Sequence, residues 1–315
     1  MTKKMLTKNQ NDENTDAIAI IKGGINNNHF INLVPDDDTA VLKIHNLYDH
    51  ISDNDLKQYK KYMSLKDKMK IKRAFEYDIE PDEDVSELYN QLKPTVEKSY
   101  KNHIRIHDGT LQPIPLMKSG QIDKLFICGM SGVGKSTYIC NYAIQYKKLF
   151  PNNKIFMISK LTDDESIDPY VELLRIKVDD DILDINFDDD IKEMNNSLVI
   201  IDDIDTISNK KIYEKVKNIR DSILEVGRHH NIYCCCVSHQ ILNYKNTRAL
   251  ILESNKIVIF PKSSGIYQNK RFLKEYMGYN KNTINLIMND IKSRWVQIAK
   301  TYPNTIIGEH DAYIV

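Results

Sequence analysis

Gly129, Gly134, Lys135 and Ser136 stand at the spacing G-x-x-x-x-G-K-[ST] within LFICGMSGVGKST, residues 125–137. This is the phosphate-binding P-loop pattern. Glycines let backbone N–H groups close around phosphate oxygens, and the start of the following helix adds positive potential. The whole run Gly129, Met130, Ser131, Gly132, Val133, Gly134, Lys135, Ser136 and Thr137 is therefore a candidate cradle. Lys135 is expected to reach the β- and γ-phosphates, and the Ser136 hydroxyl to ligate Mg²⁺. The ligand read from this spacing is a nucleoside triphosphate.

A second candidate group ends the run SLVIIDDID, residues 197–205. Four continuously apolar residues, Leu198 to Ile201, suit a central parallel strand covered on both faces. Asp202 at its tip is placed to order a Mg²⁺ shell, and Asp203 to polarise an attacking water. A third apolar strand, Ile232 to Val237, ends in Ser238, His239 and Gln240. If it neighbours the Asp202 strand, a polar residue at its tip can sense a γ-phosphate. His229, His230 and His239 read by default as turn or surface histidines.

These tips need a scaffold. The pattern predicts a strand at Leu125–Cys128, a helix over about 136–150 and a strand at Lys154–Ser159. A helix follows over Lys210–Val226, with an apolar stripe of Ile212, Val216, Ile219, Ile223 and Val226 closed by Gly227 as a C′ residue. Ile241–Leu252 reads as helix, Lys256–Phe260 as strand, and 268–292 as two helices split at Gly278. Arg294–Lys300 and Thr305–Ile307 read as closing strands around Pro303. Strand–helix alternation from 125 to about 260 implies an α/β fold with a mainly parallel sheet, and a ligand site at the carboxyl ends of its strands.

The expected organisation is a disordered tail over 1–15, a smaller N-terminal α+β region over 16–105 and a P-loop domain over 106–315. Within the N-terminal part, Ala17–Ile21 and Phe30–Val34 read as short strands and Val85–Lys101 as a helix. Ser52–Glu76 reads as a helical region whose segment Lys57–Arg73 holds eight basic residues and one acidic one. Tyr59 and Tyr62 interleave there with Lys60 and Lys61, a pattern that suits either a nucleic-acid contact or a solvated helix face. His107–Ser119 reads as a turn-rich approach to the P-loop strand. The aspartate-rich stretch 163–190 reads as a peripheral excursion.

A chain of 315 residues, 41% hydrophobic and 28% charged, has the composition of a soluble globular protein with a sizeable core. Its zero net charge supplies no global attraction to nucleic acid. No apolar run approaches a membrane span, and the polar N-terminus lacks a signal-peptide core, so an intracellular location is expected. Five cysteines, three of them adjacent at 234–236, form neither a disulfide framework nor a metal-ligand spacing. They read as structural and reduced.

The motifs GMSGVGKST (129–137), LVIIDDID (198–205), GRHHNIYCCCVSHQ (227–240) and NTRALILESNKIVIFP (246–261), with SRWVQIAKTYP (293–303) closing, resemble those of genome-packaging ATPases. The group is that of poxviruses and other large nucleocytoplasmic DNA viruses, within the FtsK–HerA superfamily of P-loop motors. The resemblance covers about 110–315. It implies a RecA/FtsK-like P-loop NTPase fold and hydrolysis of ATP with Mg²⁺ by a homo-oligomeric ring. It also implies double-stranded DNA as cargo, a capsid or portal component as partner, and a place in the host cytoplasm, the virus factory or the virion. By the same resemblance Asp202 is the Walker B aspartate, Gln240 the polar sensor, and Arg228 or Arg248 an arginine finger acting in trans. Many members carry glutamate where this chain has Asp203. Competing readings are a helicase-like ring ATPase, a nucleotide kinase and a nucleotide-controlled binding module. A kinase lid rich in arginine is not apparent, Asn209-Lys210 does not continue into N-K-x-D, and an L-S-G-G-Q-like signature is absent.

Overall fold

The computed structural model describes residues 16–24, 27–36, 39–44, 80–100, 102–118, 120–185, 191–263 and 265–315, with a few positions between 64 and 74. The expected N-terminal tail and the lysine–tyrosine stretch at Lys57, Tyr59, Lys60, Lys61 and Tyr62 lie outside the described residues. Two sheets organise the rest.

The smaller sheet is antiparallel, in the order β3 (Thr39–Ile44), β2 (Phe30–Asp36), β1 (Asp16–Lys22), β5 (Thr110–Pro113). The first two expected strands are present, and β3 and β5 are additional. The expected helix runs over α1 (Ser86–Tyr100). It is followed by β4 (His103–Arg105), which joins the other sheet. Chain and sheets are thus interlaced: β4 precedes β5 in sequence yet belongs with the C-terminal strands.

The larger sheet has ten strands and two halves. Its parallel half runs β8 (Leu174–Lys177), β7 (Lys154–Ser159), β9 (Ser197–Ile201), β10 (Tyr233–Ser238), β6 (Lys124–Cys128), β11 (Lys256–Ile259). It continues antiparallel through β12 (Val296–Ala299), β13 (Thr305–Ile307) and β14 (Asp311–Ile314) to β4. The fold is therefore α/β with a mainly parallel central sheet, as expected, and an antiparallel wing. The aspartate-rich stretch contributes an edge strand, β8, which a purely peripheral reading of that segment does not foresee. Its Asp168 is tied to Arg175 at 2.6 Å.

Alternation along β6 explains why the parallel half is so apolar. Phe126 and Cys128 enter one core with α3 (Lys210–Val226), α4 (Tyr244–Glu253) and α5 (Ile266–Glu275). Leu125 and Ile127 enter the other core with α2 (Lys135–Leu149), through Tyr138, Ile139, Tyr142, Ala143 and Tyr146. Each buried aliphatic side chain contributes about 1.5–3 kcal/mol, so a strand buried on both faces anchors both layers. The adjacent cysteines obey the same alternation: Cys234 and Cys236 face the first core and Cys235 the second. All five cysteines are free and buried, as expected of structural thiols.

Helix α3 begins where Asn209 accepts from the backbone N–H groups of Lys211 and Ile212. Its end differs from expectation. Gly227 has φ −53°, so it continues into a 3₁₀ turn, and Asn231 at φ 53° takes the left-handed position instead. The apolar stripe is buried from Ile212 to Ile223, whereas Val226 is exposed. Arg220 is buried on the same helix, its guanidinium 2.6 Å from Asp221. After α6 (Lys281–Asn285) the chain makes a π-helical turn, Leu286–Asp290, before entering β12.

The small sheet does not stand apart. Its Ala19, Ile21, Ile31 and Leu42 share one apolar cluster with α1 and with Ile104, Ile307 and Ala312 of the antiparallel wing. At this seam Asp311 of β14 accepts from Arg105 Nε at 2.6 Å and lies 3.0 Å from His103 Nε2, both on β4.

Candidate functional site

Strands β6, β10 and β9 are neighbours and parallel, with β10 paired to both others. Their carboxyl ends therefore bring the three candidate groups side by side. At the first tip, Gly129 N–H donates to Ser238 O of β10 at 3.2 Å, stitching the P-loop to the neighbouring strand. A Cβ on Gly129 would meet Phe260 Cδ2 and Val133 Cγ2, each at 2.8 Å, so a side chain there requires the loop or its neighbours to shift. Gly134 at φ 104° turns the loop into α2, a conformation that side-chain-bearing residues rarely adopt.

Lys135 opens α2 and is nearly buried. Its ammonium donates to Gly129 O at 2.8 Å and Met130 O at 3.2 Å, and lies 3.3 Å from His239 Nδ1. Just past the end of β9, Asp202 N–H donates to Ile158 O of β7 at 3.0 Å, which holds its backbone at the strand tip. Burial, followed by the negative charge of Asp203, pushes the Asp202 carboxyl up to about 6, and the Lys135 ammonium only partly offsets this. Asp203 sits in the left-handed region at φ 45°, which aspartate tolerates better than most residues. Its Oδ2 is 2.8 Å from His239 Nε2, and its Oδ1 is buried without a hydrogen-bond partner.

His239 thus joins the lysine of one strand tip to the second aspartate of another. One neutral tautomer serves both contacts, with Nδ1 accepting from the ammonium and Nε2–H donating to the carboxylate. The sequence places a histidine at the tip of β10, but only the side-by-side packing of β6, β10 and β9 lifts it above a surface histidine. Gln240, the expected sensor, is one position further on. Its N–H donates to Ser238 Oγ at 3.1 Å, and its side chain is exposed. Ser238 itself donates to Asp205 Oδ2 at 2.5 Å.

The two arginines lie on different elements. Arg228 is exposed in the 3₁₀ turn before β10, at the end opposite the P-loop. Arg248 is exposed on α4, which leaves the carboxyl end of β10.

The donor set fits a hard divalent cation. Asp202 is a half-buried carboxylate, Ser136 a hydroxyl on the adjoining helix start, and oxygen donors are what Mg²⁺ prefers. Among the described residues no group of three or more His, Cys, Asp or Glu side chains could hold a metal ion. That is compatible with Mg²⁺ bound through one protein carboxylate and the phosphates it accompanies.

Over 214 residues, 67% of this chain and 84% of its counterpart, the sequence is 40% identical to the uncharacterized protein V3 of Sputnik virophage. The chain belongs to the V3 family. No family model matches it. Among solved structures, this V3-family chain is similar to B204, the DNA-packaging ATPase from Sulfolobus Turreted Icosahedral Virus. That match has 14% identity over 59% of this chain and 96% of B204, with a TM-score of 0.41. It is also similar to the cytoplasmic domain of the Thermomonospora curvata Type VII secretion ATPase EccC, at 11% identity over 67% of this chain and 28% of that one, TM-score 0.44.

Proposed function

We propose that this V3-family protein is an ATP-hydrolysing motor that drives double-stranded DNA into a viral capsid, working as a homo-oligomeric ring. The observation that carries the hydrolytic part is the junction of Lys135, His239 and Asp203 beside Asp202, at the tips of three adjacent parallel strands. The cargo and the ring rest on the motif resemblance to packaging ATPases.

In this reading Gly129 to Thr137 cradle the phosphates, and Lys135 exchanges its loop carbonyls for β- and γ-phosphate oxygens. Ser136 and Asp202 hold Mg²⁺, which when bound neutralises charge developing on the phosphates. Asp203, through the unpartnered Oδ1, accepts the proton of the attacking water as that water's oxygen bonds to the γ-phosphorus. The bond to the β-phosphate oxygen breaks, releasing ADP and inorganic phosphate. His239 orients Asp203, while Gln240 reports phosphate loss along β10. Arg228 or Arg248 reaches the site of a neighbouring subunit. A capsid or portal component receives the ring in the host cytoplasm, the virus factory or the virion. Among the described residues no helix is long and apolar enough to cross a membrane.

ATP hydrolysis measured with and without long duplex DNA, alongside particle size, tests the proposal. A duplex-stimulated ring is the expected outcome. Turnover that ignores DNA and requires a nucleoside acceptor would sink it in favour of a kinase, and stimulation by single strands alone would favour a helicase.

A further inference from the structure

A cavity of about 330 Å³ opens against the P-loop and the first turn of α2, where Gly134, Thr137 and Tyr138 line it. Arg294, Trp295 and Glu309 of the antiparallel wing wall it, and β5 of the small sheet, whose Leu111 N–H donates to Glu309 O at 2.7 Å, extends that wall. Three features suit it to a nucleoside. Its volume lies within the usual range for small-molecule sites. It begins where a phosphate chain held by Lys135 and Ser136 must continue, one residue further along the helix start. It also offers an aromatic wall: the Tyr138 and Trp295 rings meet edge to face at 5.1 Å, and Tyr138 is locked by donating to Gln297 Oε1 at 2.8 Å.

The polar rim is equally well held. Glu309 accepts from the Arg294 backbone N–H at 3.0 Å and from Arg294 Nε at 3.3 Å, which ties the exposed arginine to the rim. Gln145 Nε2 of α2 donates to Gln112 Oε1 of β5 at 3.4 Å, so the small sheet is hydrogen-bonded to the helix that starts at the P-loop.

We propose that this cavity receives the base and ribose of the nucleotide, with Trp295 and Arg294 as the base-recognising wall and β5 as its continuation. The proposal rests on the P-loop reading above and deepens it. It makes the N-terminal sheet part of the nucleotide site.

Trp295 is the chain's single tryptophan, so its emission reports the cavity in the full-length protein. ATP, adenosine and inorganic tripolyphosphate are titrated separately in the presence of Mg²⁺. ATP and adenosine are expected to shift Trp295 emission. Tripolyphosphate is expected to leave it unmoved while competing with ATP for a Lys135-dependent site. Trp295→Leu should weaken ATP binding roughly tenfold, the order expected for lost base stacking, and spare tripolyphosphate. Thr110→Tyr, on the exposed side of β5, should obstruct the cavity with the same selectivity and without touching the core. If ATP binds and is displaced by tripolyphosphate while Trp295 emission and both variants' affinities stay unchanged, the cavity assignment falls and the P-loop reading stands. If neither ATP nor tripolyphosphate binds, both fall.

Discussion

Lys135 and His239 show how much depends on single side chains at the strand tips. A nearly buried ammonium needs acceptors, and Lys135 finds them in two loop carbonyls and one imidazole. Lys135→Ala is expected to abolish ATP turnover, and wild-type rates in that variant would remove the hydrolytic reading. Asp203→Asn should lower kcat by about 10²-fold or more, as losing a general base does, with nucleotide affinity retained. His239→Ala should cost less, roughly 10–100-fold, since its contact is with the base rather than the water. A kcat unaffected by His239→Ala would show that Asp203 keeps its orientation unaided. Identity and spacing made Lys135, Ser136 and Asp202 legible from the sequence. His239 was not, because its two partners come from segments far away in the chain.

Elements carry two further predictions. The P-loop is pressed against Phe260 at the end of β11, so Gly129→Ala forces a Cβ to within 2.8 Å of two side chains. Overpacking of this kind costs about 1–3 kcal/mol, and the loop must shift to relieve it. The expected outcome is a lower melting temperature together with weakened ATP binding; unchanged values for both would mean that Phe260 yields freely. The second concerns the seam of β4 and β14. Burial alone would raise the Asp311 carboxyl, but the hydrogen bonds and charges of His103 and Arg105 win and hold it below its ordinary value. A depressed carboxylate stabilises the fold above its unfolded pKa and loses that contribution as pH falls through the folded value. Asp311→Asn should therefore lower stability at pH 7 by roughly 1–3 kcal/mol. The gap from wild type should narrow once the pH drops below about 4. A gap that persists undiminished in acid would assign the loss to packing instead of charge.

At the scale of the whole molecule, an arginine finger supplied by a neighbouring subunit predicts complementation. Subunits carrying Lys135→Ala keep their arginines, whereas subunits carrying Arg248→Ala or Arg228→Ala keep their P-loops. If one arginine acts in trans, mixing Lys135→Ala subunits with the matching arginine variant should restore part of the turnover that each lacks alone. Mixtures no more active than their components would exclude an arginine acting in trans. The interlacing of β4 and β5 gives a second molecular consequence, because the small sheet packs on the wing that also walls the Trp295 cavity.

Elements buried on both faces of the parallel half were readable without coordinates, since continuous apolar runs such as Leu198–Ile201 and Ile232–Val237 have few alternatives. The short strands β3, β4, β5, β8 and β14 were not, because three to six residues carry too little periodicity. Local chemistry alone determined the P-loop: glycine spacing, the lysine and the hydroxyl act within nine residues. Tertiary structure decided what surrounds it. Strand order placed β10 between the P-loop and Asp202 strands and so made His239 a bridge. Packing of a distant wing and an N-terminal strand made the cavity beside Gly134, and no local pattern encodes contacts that exist only once those segments meet.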